Sequence, residues 1–282
     1  MNSFRETDAH QRAKAAILNG CAHAGYQAVT EASGEGWRVD VMASRGNVRI
    51  AFEVQWSPQK LRETVARQER YARDGVRGCW FFRQPPAMLE RADTLKARRD
   101  LPLFHLFANA DGSFVVRLGG RLTPLDIFVS ALLTQRVRFC EEVTAAETQT
   151  MSLGFYPVRC DACGRTGHVY RLLTPLRARC GHVVPLTGEE AQFAAGRGEF
   201  LAAARTAVRD QASIRLAQVV FADNALTVRC PHCAAAYPAR RLAMAGYGEQ
   251  PILTLPVEVD LRRPLTVRSP HWCFPAHGEM CC

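Results

Sequence analysis

The sequence predicts an α/β protein, in which a unit with the element order helix, three strands, helix, strand precedes a smaller α+β unit. Three observations support this prediction. Residues 8–24 have apolar positions at helical spacing, residues 26–55 alternate in polarity between glycine-containing turns, and a polar stretch at 141–150 separates two more apolar regions. The length of 282 residues, about twice that of a common single domain, also favours two units.

The first helix is predicted for residues 8–24, because Ala13, Ile17 and Cys21 recur at helical spacing and Gly25 ends the segment. The alternation that follows predicts a hairpin or a meander of three strands. These strands are expected at 26–31, 37–42 and 48–55, with turns at 33–36 and 44–47.

A second helix is predicted for residues 58–73, with Ser57 as its N-cap, Pro58 in its first turn and Asp74-Gly75 after its end. The apolar segment 78–82 is typical of a buried strand. Beyond it the sequence predicts strands at 103–107 and 114–118 and a helix at 123–139.

The second unit is predicted to follow a linker at 141–150. It is expected to contain a helix at 188–212 and strands at 216–221 and 225–229. The predicted domains are therefore 1–140, with a core at 8–83, then 155–248, and then a proline-rich, cysteine-containing tail at 249–282, which we expect to be disordered.

The charge balance favours a polyanionic partner. The chain has a formal net charge of +9 and a pI near 9.2, and nucleic acid is the first candidate. Lys14, Lys60 and Lys96 are the only lysines, so almost all of the positive charge is arginine, which suits bidentate phosphate contacts. A GC-rich genome would also encode many arginines. The sequence has no apolar run that could span a bilayer and no apolar signal-peptide core, so we expect a cytoplasmic protein.

Two acidic residues of the predicted sheet are the candidate catalytic groups. Asp40 is expected in the second strand, and Glu53, with Gln55 two positions later, in the third. Because strand side chains alternate in direction, Glu53 and Gln55 share a face, and a suitable register brings Asp40 to the same point. Two carboxylates that close repel each other unless a cation lies between them, and Mg²⁺ prefers such oxygen ligands. A bound Mg²⁺ can activate water for attack on a phosphodiester.

These residues belong to a longer pattern. Its members are Arg38-Val-Asp40, Ile50-Ala-Phe-Glu53-Val-Gln55-x-Ser57, Arg67-x-x-x-Tyr71, Gly78-x-Trp80, His10 and Lys14. The pattern resembles the core of the CoiA-like competence nucleases, a branch of the PD-(D/E)XK or restriction-endonuclease-like superfamily. The resemblance covers about residues 8–83.

The resemblance implies a restriction-endonuclease-like αβββαβ core, DNA as the substrate, Mg²⁺ (or Mn²⁺) as the cofactor, and a role in processing incoming DNA. By position it makes Asp40 and Glu53 the metal ligands. Gln55 stands where the superfamily usually has a lysine; glutamine occurs in this branch and can orient water, but it carries no charge. Val39 stands where the family name has a proline.

Further residues of the pattern are candidates for binding the substrate. Arg67 and Tyr71 share a face of the second helix and are expected to reach the scissile phosphate, or else to be a solvated arginine and a tyrosine at the edge of the core. His10 and Lys14 can contact a phosphate, pair with an acid, or lie on a solvated helix face. Glu31 is either an outer metal ligand or an exposed acid.

Cysteines predict a second metal site. Four of the eleven form two matched Cys-x-x-Cys motifs, Cys160/Cys163 and Cys230/Cys233. Two such motifs make a tetrahedral thiolate site for structural Zn²⁺, here in a zinc-ribbon-like domain with a helical insertion. An alternative ligand set joins the first motif to Cys180 and His182 and leaves the second motif to another ion. The other cysteines and histidines weighed are the tail residues His271, Cys273, His277, Cys281 and Cys282 as a further site, and Cys21, Cys79 and Cys140 as core residues.

The sequence therefore supports two functional hypotheses. The first is an Mg²⁺-dependent deoxyribonuclease that its zinc module places on DNA. The second is a catalytically weak or inactive DNA-binding scaffold whose zinc module recruits a protein partner. The two acids favour the enzyme, because a protein that only binds DNA gains nothing from carboxylates that repel phosphate. Structured RNA as the substrate remains a third option.

Overall fold

The computed structural model describes residues 8–84, 98–119, 121–184, 196–222 and 225–274. The chain forms two compact units, Met1–Val143 with Arg179–His182 and Arg268–Cys282, and Thr144–Ala178 with Val183–Val267. We refer to them as unit 1 and unit 2. Within the described ranges, none of the helices combines the length and the apolarity that a bilayer crossing requires.

Unit 1 is built on a central sheet of seven strands in the order β1-β4-β5-β6-β7-β8-β9. The parallel neighbours are β5 with β6 and β6 with β7, and the other pairs are antiparallel, so the sheet is mixed. In chain order the strands are β1 (Gln27–Thr30), β2 (Ser33–Gly34), β3 (Trp37–Arg38), β4 (Val41–Arg45), β5 (Val48–Gln55), β6 (Arg77–Phe82), β7 (Leu103–Ala108), β8 (Phe114–Leu118) and β9 (Arg121–Pro124). The short strands β2 and β3 pair only with each other.

Helices cover both faces of this sheet. They are α1 (Asp8–His23), α2 (Leu61–Arg73) and α3 (Leu125–Leu133). Alternation along β5 and β6 sends Phe52 and Phe81 into the core shared with α1 and α3, and Ala51 and Trp80 into the core that contains Tyr71 of α2. The charged residue that follows Phe52 therefore faces α2.

The predicted strand at 37–42 is wrong in its bounds. Its first part lies in the hairpin of β2 and β3, and β4 begins only at Val41, so Asp40 lies in a bend and not in a strand. The carboxylate of Asp40 accepts the backbone N–H of Val54 at 2.7 Å, a side-chain bond that holds the chain outside the regular ladder. The turn that follows β4 is also tighter than expected, and it uses Gly46 at φ +56°.

The two predicted helices after the acids are shorter than expected. The first begins at Leu61, because residues from Ser57 to Lys60 are not helical, and Lys60 has extended backbone angles of φ −73° and ψ 139°. The second is limited to α3. Residues of the expected linker at 141–150 instead contribute to β10 (Arg138–Thr144) and β11 (Thr148–Arg159).

Unit 2 contains a three-stranded antiparallel sheet in which β11 pairs with β12 and β17. The outer strands of this sheet are β12 (Thr166–Leu172) and β17 (Leu253–Asp260). The other elements of unit 2 are β13 (Leu176–Arg177), β14 (Val183–Val184), α4 (Gly198–Ala207), β15 (Gln218–Ala222), β16 (Ala225–Arg229) and α5 (Ala239–Met244). The predicted helix at 188–212 corresponds to α4, and its positions 188–195 lie outside the described residues.

The expectation of a disordered tail is wrong for residues 253–273. They form β17 and β18 (Thr266–Cys273), and β18 pairs with β10. Leu253, Leu255, Val257 and Val259 do alternate with polar residues, apart from Pro256, which hid the strand pattern. The predicted tail ligands His277, Cys281 and Cys282 lie outside the described residues.

Candidate active site

The structure brings Asp40 and Glu53 together at one end of the central sheet. The antiparallel register pairs Val41 with Phe52, and Asp40 directly precedes Val41 while Glu53 directly follows Phe52. The two acids are close enough that the charge of Asp40 contributes to raising the pKa of Glu53. The predicted proximity of the two carboxylates is therefore present, although Asp40 lies outside the strand. Their role as metal ligands stays a prediction.

Glu53 is a buried acid held by α2. Only 3% of Glu53 is exposed. Nη2 of Arg67 donates to its Oε1 at 2.6 Å, and the hydroxyl of Tyr71 donates to the same oxygen. Arg67 also lies over the ring of Trp80, 5.0 Å from its centroid. Arg67 and Tyr71 therefore contact the candidate metal ligand itself.

The environment separates the two acids in their protonation. Burial raises the pKa of Glu53 to about 7 and the charge of Asp40 adds to this effect, while the charge of Arg67 opposes it. Burial would also raise the pKa of Asp40, but hydrogen bonds from His10 and Val54 and the positive charge of Lys14 bring that pKa below its usual value. The site thus holds one carboxylate ready to be charged at neutral pH and one that is costly to charge without a counter-ion.

Helix α1 brings two further predicted residues to this end of the sheet. Nε2 of His10 lies 3.3 Å from Oδ2 of Asp40. Lys14 is 5% exposed and its ammonium donates to the carboxylate of Glu31, which also accepts Nε of Arg38 at 2.5 Å. Neither His10 nor Lys14 lies on a fully solvated face, so the alternative in which they pair with acids is the one that the structure contains.

Glu31 connects these residues through an uncommon backbone conformation. Its φ of +57° is in the left-handed region, and its N–H donates to the carbonyl of Asp40 at 3.0 Å. In this conformation the Glu31 carboxylate accepts hydrogen bonds from both Lys14 and Arg38. The sequence did not indicate this arrangement, because no glycine or asparagine marks the position.

Gln55 is the last residue of β5 and by alternation shares the face of Glu53. Its amide Nε2 donates to the carbonyl of Ser57 at 2.8 Å. This bond holds the amide on the chain that leaves the strand. The expected positioning of a water molecule by Gln55 stays a prediction.

The four cysteines of the two matched motifs converge in unit 2. Sγ of Cys160 is 3.6 Å from Sγ of Cys233, Sγ of Cys163 is 3.8 Å from Sγ of Cys230, and all four sulfurs lie within 4.8 Å of one another. Tetrahedral Zn²⁺ with Zn–S bonds of about 2.3 Å requires sulfurs about 3.8 Å apart. The chemistry and the spacing of the donors therefore fit a zinc ion.

The two motifs have the same backbone geometry. Cys160 N–H donates to Arg165 O at 2.9 Å, and Cys230 N–H donates to Ala235 O at 2.8 Å. Both loops then pass through a positive φ, at Gly164 and at Ala234. The alternative ligands Cys180 and His182 belong to unit 1, where both contact His271.

Comparison with known proteins identifies the region that contains the acids. Residues 6–106 match the family model described as the nuclease-like domain of competence protein CoiA. No curated protein matches the chain significantly. The crystal structure of a protein of unknown function matches at a TM-score of 0.26 and 14% identity, over 35% of this chain and 58% of that chain. The chain thus spans less than two thirds of that protein, and a likeness at this score supports no inference.

Proposed function

We propose that the chain is a metal-dependent nuclease that hydrolyses DNA phosphodiester bonds, because residues 6–106 match the nuclease-like domain of competence protein CoiA. The observation that carries the proposal is the pair Asp40 and Glu53. The two acids are adjacent, they lie within the matched residues, and side chains of α1 and α2 contact them. By the family likeness, the reaction serves the uptake or processing of DNA in competence.

The donor set fits a hard divalent cation. Two neighbouring carboxylates, one of them buried with a raised pKa, form a site that a positive charge stabilises. We assign Asp40 and Glu53 as ligands of Mg²⁺ or Mn²⁺, which prefer carboxylate oxygens. When bound, such an ion lowers the pKa of a coordinated water and balances the charge that develops on the phosphate.

Arg67 is the proposed contact with the scissile phosphate. Its guanidinium is partly exposed and pairs with Glu53. If a cation balances the charge of Glu53, the guanidinium becomes available to a phosphate, which it can bind bidentately. Tyr71 stays as the hydroxyl that orients Glu53.

Lys14 is the proposed source of the charge that Gln55 lacks. Its ammonium lies in the neighbourhood of Asp40, where its charge contributes to the lowered pKa of that acid. His10 and Lys14 thus place cationic or hydrogen-bonding groups beside the ligands, from α1 rather than from β5. Gln55 retains the proposed task of orienting water.

The four-cysteine group is the proposed zinc site of unit 2. It lies in a small core with Tyr156, Val158 and Tyr237, where thiolate ligation would hold two distant loops together. Exposed basic residues such as Arg240 and Arg241 follow the second motif, and they suit the phosphate backbone of DNA. A protein partner bound through the same module is the alternative role.

The test is cleavage of linear, nicked and closed-circular DNA by the purified full chain with Mg²⁺ or Mn²⁺. The matched variants are Asp40→Ala, Glu53→Ala and Glu69→Gln, the last of which changes an exposed acid of α2. We expect cleavage by the wild type and by Glu69→Gln, and none by the other two. DNA that stays intact with both metals would refute the nuclease, and RNA substrates in parallel would show whether RNA is cut instead.

One observation favours the second candidate function, a DNA-binding scaffold. The carboxylate of Glu53 already has Arg67 and Tyr71 as partners, and Gln55 provides no charge. Calorimetric titration with Mn²⁺ separates the two functions. A nuclease centre should lose Mn²⁺ affinity on Asp40→Ala, whereas for a scaffold the substitution should leave the titration unchanged.

A further inference from the structure

Unit 1 contains a second group of metal-binding side chains that the two motifs do not include. Cys140 of β10 and His271 and Cys273 of β18 are buried, and their ligand atoms all lie within 4.8 Å of one another. The pairing of β10 with β18 brings these residues together although about 130 positions separate them. From the sequence, Cys140 is expected in the core, and His271 and Cys273 are expected in a disordered tail or, together with His277, Cys281 and Cys282, at a further metal site.

The loop 179–182 adds a fourth donor. Sγ of Cys180 lies 3.5 Å from Nε2 of His271. Gly181 has a φ of +83°, and a Cβ there would lie 2.1 Å from the carbonyl oxygen of Gly119, so only glycine permits this close approach of the two backbones. The loop is therefore fixed within unit 1 with its thiol at the cluster.

His271 has the orientation of a metal ligand. Its Nδ1 lies 2.8 Å from the carbonyl oxygen of Ser269, to which the Nδ1–H donates. This bond leaves Nε2, the atom nearest Cys180, with its lone pair directed to the sulfurs. Metal-ligating histidines commonly donate their other ring N–H to a backbone carbonyl in this way. The ring of His182 stacks on that of His271 with centroids 4.4 Å apart and supports it from one side.

We propose that Cys140, Cys180, His271 and Cys273 form a second zinc site, of the Cys₃His type. Bond lengths of about 2.3 Å to sulfur and about 2.0 Å to nitrogen place a sulfur and a nitrogen about 3.5 Å apart in a tetrahedral site. The separation of 3.5 Å between Cys180 and His271 agrees with this value. Thiolates with an imidazole favour Zn²⁺ over hard cations such as Mg²⁺.

The position of this site in the chain indicates what it does. Unit 1 consists of three separate stretches of chain, and each of them provides at least one ligand: Cys140 from the first, Cys180 from the second, and His271 and Cys273 from the third. A metal ion bound to all four residues would link the three chain segments that make up unit 1. Such a crosslink stabilises the fold most when it closes long loops.

Cys140 is disulfide-bonded in this structure. A sulfur in a disulfide is not a thiolate ligand, so the two states exclude each other. We assign the zinc site to the reduced chain, in which Cys140 is a thiolate.

The experiment is the zinc content of the full chain, purified under reductant and measured by mass spectrometry of the metal. We expect about two zinc ions per chain in the wild type and about one in each of Cys180→Ser, His271→Ala and Cys230→Ser. The double variant Cys180→Ser/Cys230→Ser should retain none. Cys21→Ala, which alters a buried cysteine of α1, should keep both ions.

The zinc contents of these variants show which of the two proposed zinc sites is absent if only one ion is found. A wild type with about one ion, lost in Cys230→Ser and kept in Cys180→Ser, would overturn the second site. The reverse pattern would instead overturn the four-cysteine site. The state of Cys140 gives a further test. If alkylation followed by mass spectrometry shows Cys140 still in a disulfide after the chain has been reduced and loaded with zinc, the second site is refuted.

Two further measurements distinguish the loss of a zinc ligand from the loss of folding in a variant. Cys180→His keeps a zinc ligand and should restore the second ion where Cys180→Ser loses it. Cobalt loaded into Cys230→Ser should give the absorption bands of a tetrahedral Cys₃His site, because only the second site remains intact there. Bands of octahedral, thiolate-free cobalt would contradict the ligand set.

Discussion

At the scale of single residues, the candidate site places two carboxylates of similar intrinsic acidity in different surroundings. Asp40 receives hydrogen bonds and positive charge, and its pKa falls. Glu53 is almost wholly buried, and its pKa rises to about 7 although Arg67 lies beside it. Burial thus outweighs one ion pair at Glu53, and a second positive charge, such as a bound cation, is what would fully ionise this residue.

Glu53→Gln should change how stability depends on pH. Folding raises the pKa of Glu53 from 4.5 to about 7, so the folded state binds this proton more tightly, and the resulting stabilisation below pH 4.5 is lost as the pH rises through 7. Between pH 4.5 and about 8, the free energy of unfolding of Glu53→Gln should therefore rise relative to that of the wild type, by on the order of 3 kcal/mol.

Urea denaturation of both proteins in metal-free buffer measures this difference. The lowered pKa of Asp40 acts only below its ordinary value of 3.8, outside that window. Saturating Mg²⁺ should reduce the difference, because a cation takes over the role of the proton. A difference that stays constant with pH would mean that Glu53 has an ordinary pKa.

The residues of the candidate site were predictable to different degrees. Asp40, Glu53, Arg67 and Tyr71 follow from spacing and from the family pattern, because strand alternation and one helical turn fix which side chains are neighbours. The links through Glu31 were not predictable. They depend on a positive φ at a residue type that rarely adopts one, and on a buried lysine that only tertiary packing defines.

At the scale of elements, α2 acts as a support for the acid of β5. Arg67→Ala leaves Glu53 buried with only the Tyr71 hydroxyl, so the free energy of unfolding at about pH 8 should fall by about 2–4 kcal/mol. Arg67→Lys should recover only part of this, because lysine lacks the planar group that reaches the carbonyl of Arg38 and stacks on Trp80. Urea denaturation in a buffer that contains EDTA tests this prediction. The control is Arg62→Ala, which removes an exposed arginine of the same helix. An equal loss of stability in Arg62→Ala would contradict the role assigned to Arg67.

The contact between α1 and α3 depends on Gly20. A Cβ at this position would lie 2.5 Å from the carbonyl oxygen of Asp126 and 2.8 Å from Cβ of Val129. Alanine is the better helix former by about 1 kcal/mol, but the overlap costs more, so we expect Gly20→Ala to lose about 1–2 kcal/mol of stability in thermal or urea unfolding. Gly198→Ala, where a Cβ meets no atom within 4 Å, should be neutral or slightly stabilising. If both substitutions stabilise, the helices have room to separate.

Elements with strong periodicity were predicted well, and those defined by distant partners were not. The strand β5 has its predicted bounds of Val48–Gln55, and α1 ends one residue before its predicted end. The strands β10 and β18 were missed, because each forms by pairing with a segment more than a hundred positions away. Local sequence carries little information on such pairing.

At the scale of the whole molecule, unit 1 is made of three separate segments of the chain. This determines which of the metal-binding clusters can be recognised in the sequence. The two Cys-x-x-Cys motifs were recognisable because each carries its spacing locally. The residues around His271 come from three different segments of the chain, so no local spacing of cysteines and histidines predicts this cluster. Long-range topology therefore decides which metal sites a sequence reveals.

The net charge of +9 gives the last prediction, that DNA binding and DNA cleavage are separable. In EDTA, the affinity of the Asp40→Ala/Glu53→Ala double variant for labelled duplex should equal or exceed that of the wild type, because two negative charges near the phosphates are removed. Affinity should fall steeply between about 50 and 200 mM salt, with a slope near 0.9 per phosphate neutralised. In the double variant, where no carboxylate of Glu53 holds the guanidinium, a further Arg67→Ala substitution should reduce this slope by about one, since it removes a proposed phosphate contact. Fluorescence anisotropy measures both quantities. Weaker binding by the double variant at every salt concentration would mean that the acids organise the DNA-binding surface rather than oppose the phosphates.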